Sequence, residues 1–180
     1  MNQFYLKSFF QLQDKIAMQG KDISPRYLYD ELLNWGRLLS DSKNLSIKNL
    51  HTDYFLYFDG LDLADYFFQP LWYNLNDIVE NDFLKIKPRE LKNAVVVVRD
   101  MIWELVVFKS NRECKILPNN CMRVFTDKLK EQLFFCCDMC DYTEDINRKE
   151  VLINRLLLPA TIQHIRRNNI LPCIFHGDNE

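Results

Sequence analysis

Between residues 49 and 84 the chain has neither Lys nor Arg, and across all 180 residues it holds only four Gly and six Pro. So little glycine and proline excludes a low-complexity or disordered polymer and predicts order along nearly the whole length. No glycine-rich phosphate loop, G-x-S-x-G elbow or H-E-x-x-H pair occurs, so the common enzyme classes that can be read from sequence find no support. No apolar run approaches the roughly 20 residues that span a bilayer, because the longest candidate is broken by Arg99, Asp100 and Glu104. The opening MNQFYLKSFFQLQDK lacks a basic leader region and a small-residue cleavage site, from which we expect a cytoplasmic protein with no membrane association. The six Cys are then expected to be thiols, since the adjacent Cys136 and Cys137 suit a secreted disulfide scaffold poorly.

The base-free segment is itself rich. It carries seven carboxylates (Asp53, Asp59, Asp62, Asp65, Asp77, Glu80 and Asp82) and ten of the 24 aromatic residues. Rings anchor interfaces, while uncompensated carboxylates repel phosphate and attract basic surfaces, so the combination points to a protein partner rather than a nucleic acid. The net charge of −2 hides this lopsidedness. Arg155, Arg166, Arg167 and Lys149 form a basic edge, but Asp138, Asp141, Glu144, Asp145 and Glu150 lie close by and make it a mixed surface.

Length and periodicity predict a mainly α fold, a single domain over 1–180 built as a bundle of about six or seven helices, with 177–180 a frayed tail. Phe4 to Ala17 has helical spacing and stops near Gly20. Ser24-Pro25 starts a second helix that runs to about Ser40. Residues 41–52 read as a loop, and 54–58 as a helical turn or one short strand or hairpin. Leu61, Ala64, Phe68, Leu71, Trp72, Leu75, Ile78 and Val79 fit one stripe. LKNAVVVVRDMIWELVVF reads as a central helix by length, despite its four valines. A further stripe, Met122, Phe125, Leu129, Leu133, Cys136, Cys137 and Cys140, predicts a helix with core cysteines, and Val151 to Ile165 a last helix or kinked pair.

Cys137-Asp-Met-Cys140 has the spacing of a redox pair or half a zinc site, with Cys114, Cys121, Cys173 and His176 as conceivable further ligands. The plain reading is burial: no second compact pair exists, and acids beside a helix end disfavour a thiolate. No metal or cofactor is therefore expected. A Cys–His hydrolase using His51, His164 or His176 has no local signature. Asp59, Asp62 and Asp65 lack the later Glu of a calcium loop, so they read as a solvated acidic face or a partner site.

Asn34-Trp35-Gly36-Arg37 matches a tetrapeptide of the Bcl-2 family's first homology region, but it comes too early in the chain for that fold. The segment from Tyr54 to Phe68, with no catalytic motif beside it, resembles in general character the small immunity proteins that neutralise toxins delivered between competing bacteria, including those of contact-dependent inhibition systems. The resemblance implies a non-enzymatic inhibitor covering the basic active site of a cognate, nuclease-type toxin. The partner-binding residues expected on charge and ring chemistry are Asp59, Asp62, Asp65, Tyr54, Tyr57, Tyr66 and Tyr73. The alternatives are an enzyme with a dispersed metal and carboxylate site, or a helical adaptor that accepts a partner helix in a groove.

Overall fold

The structure, a computed structural model, describes residues 2–20, 23–66, 75, 78–127, 132–153 and 157–173. The chain divides into two compact units, one made of Met1–Leu61 and Tyr73–Leu105 and the other of Asp62–Trp72 and Val106–Glu180.

The first unit is helical, and its helices begin and end where local chemistry dictates. Helix α1 (Asn2–Ala17) stops before Gly20, which takes a left-handed φ of 63°. Helix α2 (Pro25–Ser40) opens with the Ser24 side chain accepting from Tyr27 N, and with Pro25 where no N–H is needed. Helix α3 (Leu45–Tyr54) replaces most of the expected loop at 41–52: Asn44 Oδ1 accepts from Ser46 N and Ile47 N, so the Ser/Asn-rich stretch is a helix cap. Its Leu45 to Tyr54 backbone buries only Ile47 and His51, too few apolar positions to show as a stripe. Residues 54–58 are the end of α3, a turn, and the start of the 3-10 turn Phe58–Gly60, with no strand. Helix α4 (Leu91–Val106) is the expected central one, burying Ala94, Val95, Val98 and Ile102 completely.

The first unit's core is aromatic. Phe9 stands edge-on to both Trp35 and Phe83 with ring centroids 5.7 Å away, and Trp35 in turn meets Phe55. Buried Gln13 fastens the segment before α4 onto α1, its amide donating to the carbonyls of Phe83 (2.6 Å) and Ile86 (3.0 Å). Of the stripe expected from Leu61 to Val79, Phe68, Leu71 and Trp72 lie outside the described residues, while Leu63–Asp65 is a 3-10 turn and Ile78–Phe83 a π-helical one.

The second unit overturns the mainly α expectation. It contains a five-stranded antiparallel sheet, which makes the fold α+β: β1 (Lys109–Glu113), β2 (Cys121–Asp127), β3 (Leu133–Cys136) and β4 (Thr143–Asp145) follow in that order, and β5 (Leu157–Pro159) pairs with the far half of β2. The stripe read as a helix from Met122 to Cys140 is β2, β3 and the turn after them, with Leu129 outside the described residues. Along β2 the fully buried residues Met122 and Val124 alternate with half-buried Arg123 and Phe125, while Leu133, Phe134 and Phe135 of β3 are buried in succession. A strand covered on both faces cannot be told from a buried helix by periodicity. The turns carry left-handed residues suited to hairpins, Asn119 (φ 66°) between β1 and β2 and Asp141 (φ 58°) between β3 and β4. Among the described residues of the helix expected from Val151 to Ile165, Leu157–Pro159 are strand β5 and only α5 (Ile162–Arg167) is helical, started by a capping box between Thr161 and His164.

Candidate functional site

The carboxylates singled out by sequence fall in both compact units. Asp59 belongs to the first unit, where Arg37 Nε donates to it at 2.8 Å and His51 Nε2 approaches at 3.1 Å. Asp62 and Asp65 belong to the second unit. Asp62 Oδ1 accepts from Ala64 N and so starts the short turn that ends at Asp65; both side chains are exposed, and neither has an ion pair among the described residues. The tyrosines are mostly engaged internally. Tyr57 stacks on Trp103 with ring centroids 5.6 Å apart, Tyr54 lies under the Arg99 guanidinium, and Tyr66 is buried. Burial pushes the Tyr66 phenol up, and the Asp65 carboxylate adds to the effect. Tyr73 lies outside the described residues.

A cleft of about 600 Å³ in the first unit is flanked by the starts of α1, α3 and α4 and includes Arg89 and Lys92. Converging helix starts attract anions, but here Asn44 already occupies two of the N–H groups of α3.

The second unit concentrates more chemistry. Cys114 follows β1, and Cys137 and Cys140 bracket the turn between β3 and β4. Folding brings their three Sγ atoms within 4.8 Å of one another, with Cys114 and Cys140 at 3.6 Å. Cys114 and Cys137 sit in the sheet's hydrophobic core with Phe108, Met122, Val124 and Tyr142. The backbone N–H groups of Ile116 and Leu117 both point at Cys114 Sγ at 3.4 Å. Asn120 Nδ2 donates to Cys137 Sγ at 3.0 Å. Burial alone would raise the Cys137 thiol, but donors from Met139 N, Cys140 N, the Cys140 thiol and Asn120 outweigh it and hold Cys137 below the ordinary thiol range, while Cys140 is pushed up.

The expectation that neighbouring acids raise the pair fails for Cys137, and Cys140, against the backbone hydrogen bond from Tyr142, is raised by burial and by the neighbouring cysteines Cys137 and Cys114 rather than by an acid. Asp138 is occupied by Arg123 Nε (3.0 Å) and Lys109 Nζ (3.6 Å), and the cysteines lie in a β-turn, away from any helix end. The expectation of six thiols also fails, because Cys121 and Cys173 form a disulfide; Cys114, Cys136, Cys137 and Cys140 are free. His176 lies outside the described residues.

Cys136 contrasts with its neighbour. Burial pushes its thiol from 9.0 up to about 11, against a weaker opposing hydrogen bond with Thr143. It nevertheless lines an open cleft of about 520 Å³ with Phe125, Thr143, Leu152 and Leu157, so reagents can reach it. At neutral pH its thiolate fraction is about a hundredfold below that of an ordinary thiol. Mass-spectrometric mapping of iodoacetamide labelling should find Cys136 unmodified at neutral pH and progressively labelled as the pH nears 11. Labelling at the pace of free cysteine at pH 8 would contradict this environment.

Beside the thiols lies a buried charge network. Glu144, fully buried, accepts from Arg112 Nη1 at 3.2 Å on Oε1 and from Tyr142 OH at 3.1 Å on Oε2, and Lys115 Nζ stands 3.2 Å from that same Oε2. Arg112 reaches from β1 across the Phe135 ring, its guanidinium carbon 3.7 Å from the centroid, and also donates to the carbonyls of Asp145 and Ile146. Burial lowers the Arg112 guanidinium, and Glu144 opposes that shift. The network joins β1 to β4 and to the turn that follows it.

No protein-family model matches the chain, and neither a curated protein nor a solved structure matches it significantly. Among the described residues, no helix is long and apolar enough to cross a membrane.

Proposed function

We propose that the protein acts in the cytoplasm as a non-enzymatic, protein-binding inhibitor, an immunity protein that neutralises a cognate nuclease toxin by covering its basic active site. The observation that carries this reading is the exposed turn at Asp62 and Asp65, two carboxylates without an ion pair among the described residues, set in a stretch that lacks Lys and Arg altogether. Such a turn would draw in a basic surface and repel nucleic acid. Asp59 and the three described tyrosines contribute less, because Arg37, Trp103, Arg99 and burial already engage them. The four free cysteines suit a reducing compartment, and the Cys121–Cys173 bridge is the feature that argues against it.

The test is co-production with the product of the adjacent gene. A stoichiometric complex that weakens with added salt and suppresses nuclease activity is expected. Asp62→Asn with Asp65→Lys keeps the cap to Ala64 while removing the negative charge, and should weaken the complex at least tenfold with an unchanged circular dichroism spectrum. Unaltered affinity of that folded variant would sink the reading.

A further inference from the structure

We propose that Cys114, Cys137 and Cys140 ligate one tetrahedral zinc ion, which ties the β1–β2 turn to the β3–β4 turn of the sheet unit. Two thiolates bound at about 2.3 Å to tetrahedral zinc stand about 3.8 Å apart, and Cys114 and Cys140 already stand 3.6 Å apart with all three sulfurs within 4.8 Å.

The surroundings are built for thiolates. Ile116 N and Leu117 N aim at Cys114, Asn120 Nδ2 and the backbone at Met139 and Cys140 aim at Cys137, and the backbone at Tyr142 aims at Cys140. A thiolate only accepts hydrogen bonds, so convergent N–H groups stabilise the ionised ligand and do little for an apolar thiol. Chain geometry agrees: Cys114 N donates to Asn120 O and Cys137 N to Tyr142 O, closing two tight turns whose sulfurs face each other. A second cysteine is missing from the first turn, where Leu117 stands three residues after Cys114 as Cys140 does after Cys137. No fourth His, Cys, Asp or Glu among the described residues joins the cluster, so water takes the fourth position of the tetrahedron. Binding releases the remaining thiol protons to solvent as zinc takes their place.

The full chain, purified in reductant without chelator, should carry one zinc per molecule by elemental analysis. Cobalt(II) exchanged into it should give the intense near-ultraviolet thiolate charge-transfer bands and visible bands of a tetrahedral site with three sulfur ligands. Cys137→Ser and Cys140→Ser should each lose stoichiometric metal, Asn120→Ala should weaken zinc affinity about tenfold, and Cys136→Ser should leave occupancy unchanged. If the serine variants fail to fold, the cobalt spectrum of the parent chain decides alone. A reduced parent chain that takes up neither ion, a cobalt spectrum without thiolate bands, or full occupancy in a folded Cys137→Ser variant overturns the site.

Discussion

Arg112→Ala is expected to lower the stability of the sheet unit by about 3–5 kcal/mol, the usual loss when one partner of a buried ion pair is removed. Three separate losses combine. Glu144 is fully buried and would keep only Lys115 and Tyr142, of which Lys115 is largely exposed and already donates to the Arg148 carbonyl. The carbonyls of Asp145 and Ile146 would lose their guanidinium donor. The Phe135 ring would lose the cation that covers it. Arg112→Lys keeps the charge but not the planar fork, so it should recover only part of the loss. Replacing both partners, Arg112→Met with Glu144→Leu, removes the orphaned charge and should be less damaging than Arg112→Ala alone. Chemical denaturation of the parent chain, Arg112→Met, Glu144→Leu and the double variant closes a double-mutant cycle that measures the coupling, and a coupling indistinguishable from zero would show that the pair is not a unit.

Gly36 should tolerate no side chain, and Gly36→Val should cost about 3 kcal/mol. A Cβ placed on Gly36 would stand 2.7 Å from Phe55 Cδ1 and 2.8 Å from Cγ. The ring cannot retreat, because Phe55 is fully buried between Trp35 and His51. Gly36→Ala sets two effects against each other: alanine gains about 1 kcal/mol of helix propensity, and overpacking costs about 1–3 kcal/mol. Contact with a rigid ring core should win, so the Ala variant is expected to be destabilised and the Val variant more so. Thermal unfolding of the series decides the matter, and a rise in Tm for Gly36→Ala would mean that α2 and α3 can separate freely. Within Asn34-Trp35-Gly36-Arg37, the glycine and the tryptophan are both packing residues of the helical unit.

The helices α1, α2 and α4 were legible because each shows its signal locally, in Gly20, in Ser24-Pro25 and in the long uninterrupted stretch ending at Val106. The sheet was not. Its decisive pairings, Arg123 with Cys136 and Phe125 with Pro159, join residues far apart in sequence, and a doubly covered strand such as β3 offers no alternation. Asn119 and Asp141 were the available warnings, since paired turn residues at that spacing point to hairpins. The thiol cluster was legible only in part. Spacing offers Cys114 as one of four conceivable ligands beside Cys137 and Cys140, and its nearness to them exists only after β1, β2 and β3 have aligned. Among the acidic residues, composition found Asp62 and Asp65, which have no ion pair among the described residues, but gave no warning that Arg37 would claim Asp59.

The end of the described chain covers the outer edge of β1. Leu171 O accepts from Asn111 N, Cys173 N donates to Lys109 O, and Ser110 bridges Pro172, so this segment lies along the outer side of β1 where another strand could otherwise add. The disulfide to Cys121 anchors that cover to the neighbouring strand, which means a reductant acts on the sheet's rim and not only on a crosslink. Once unfastened, β1 would present free amide and carbonyl groups to a second molecule, and self-association would become the price of reduction.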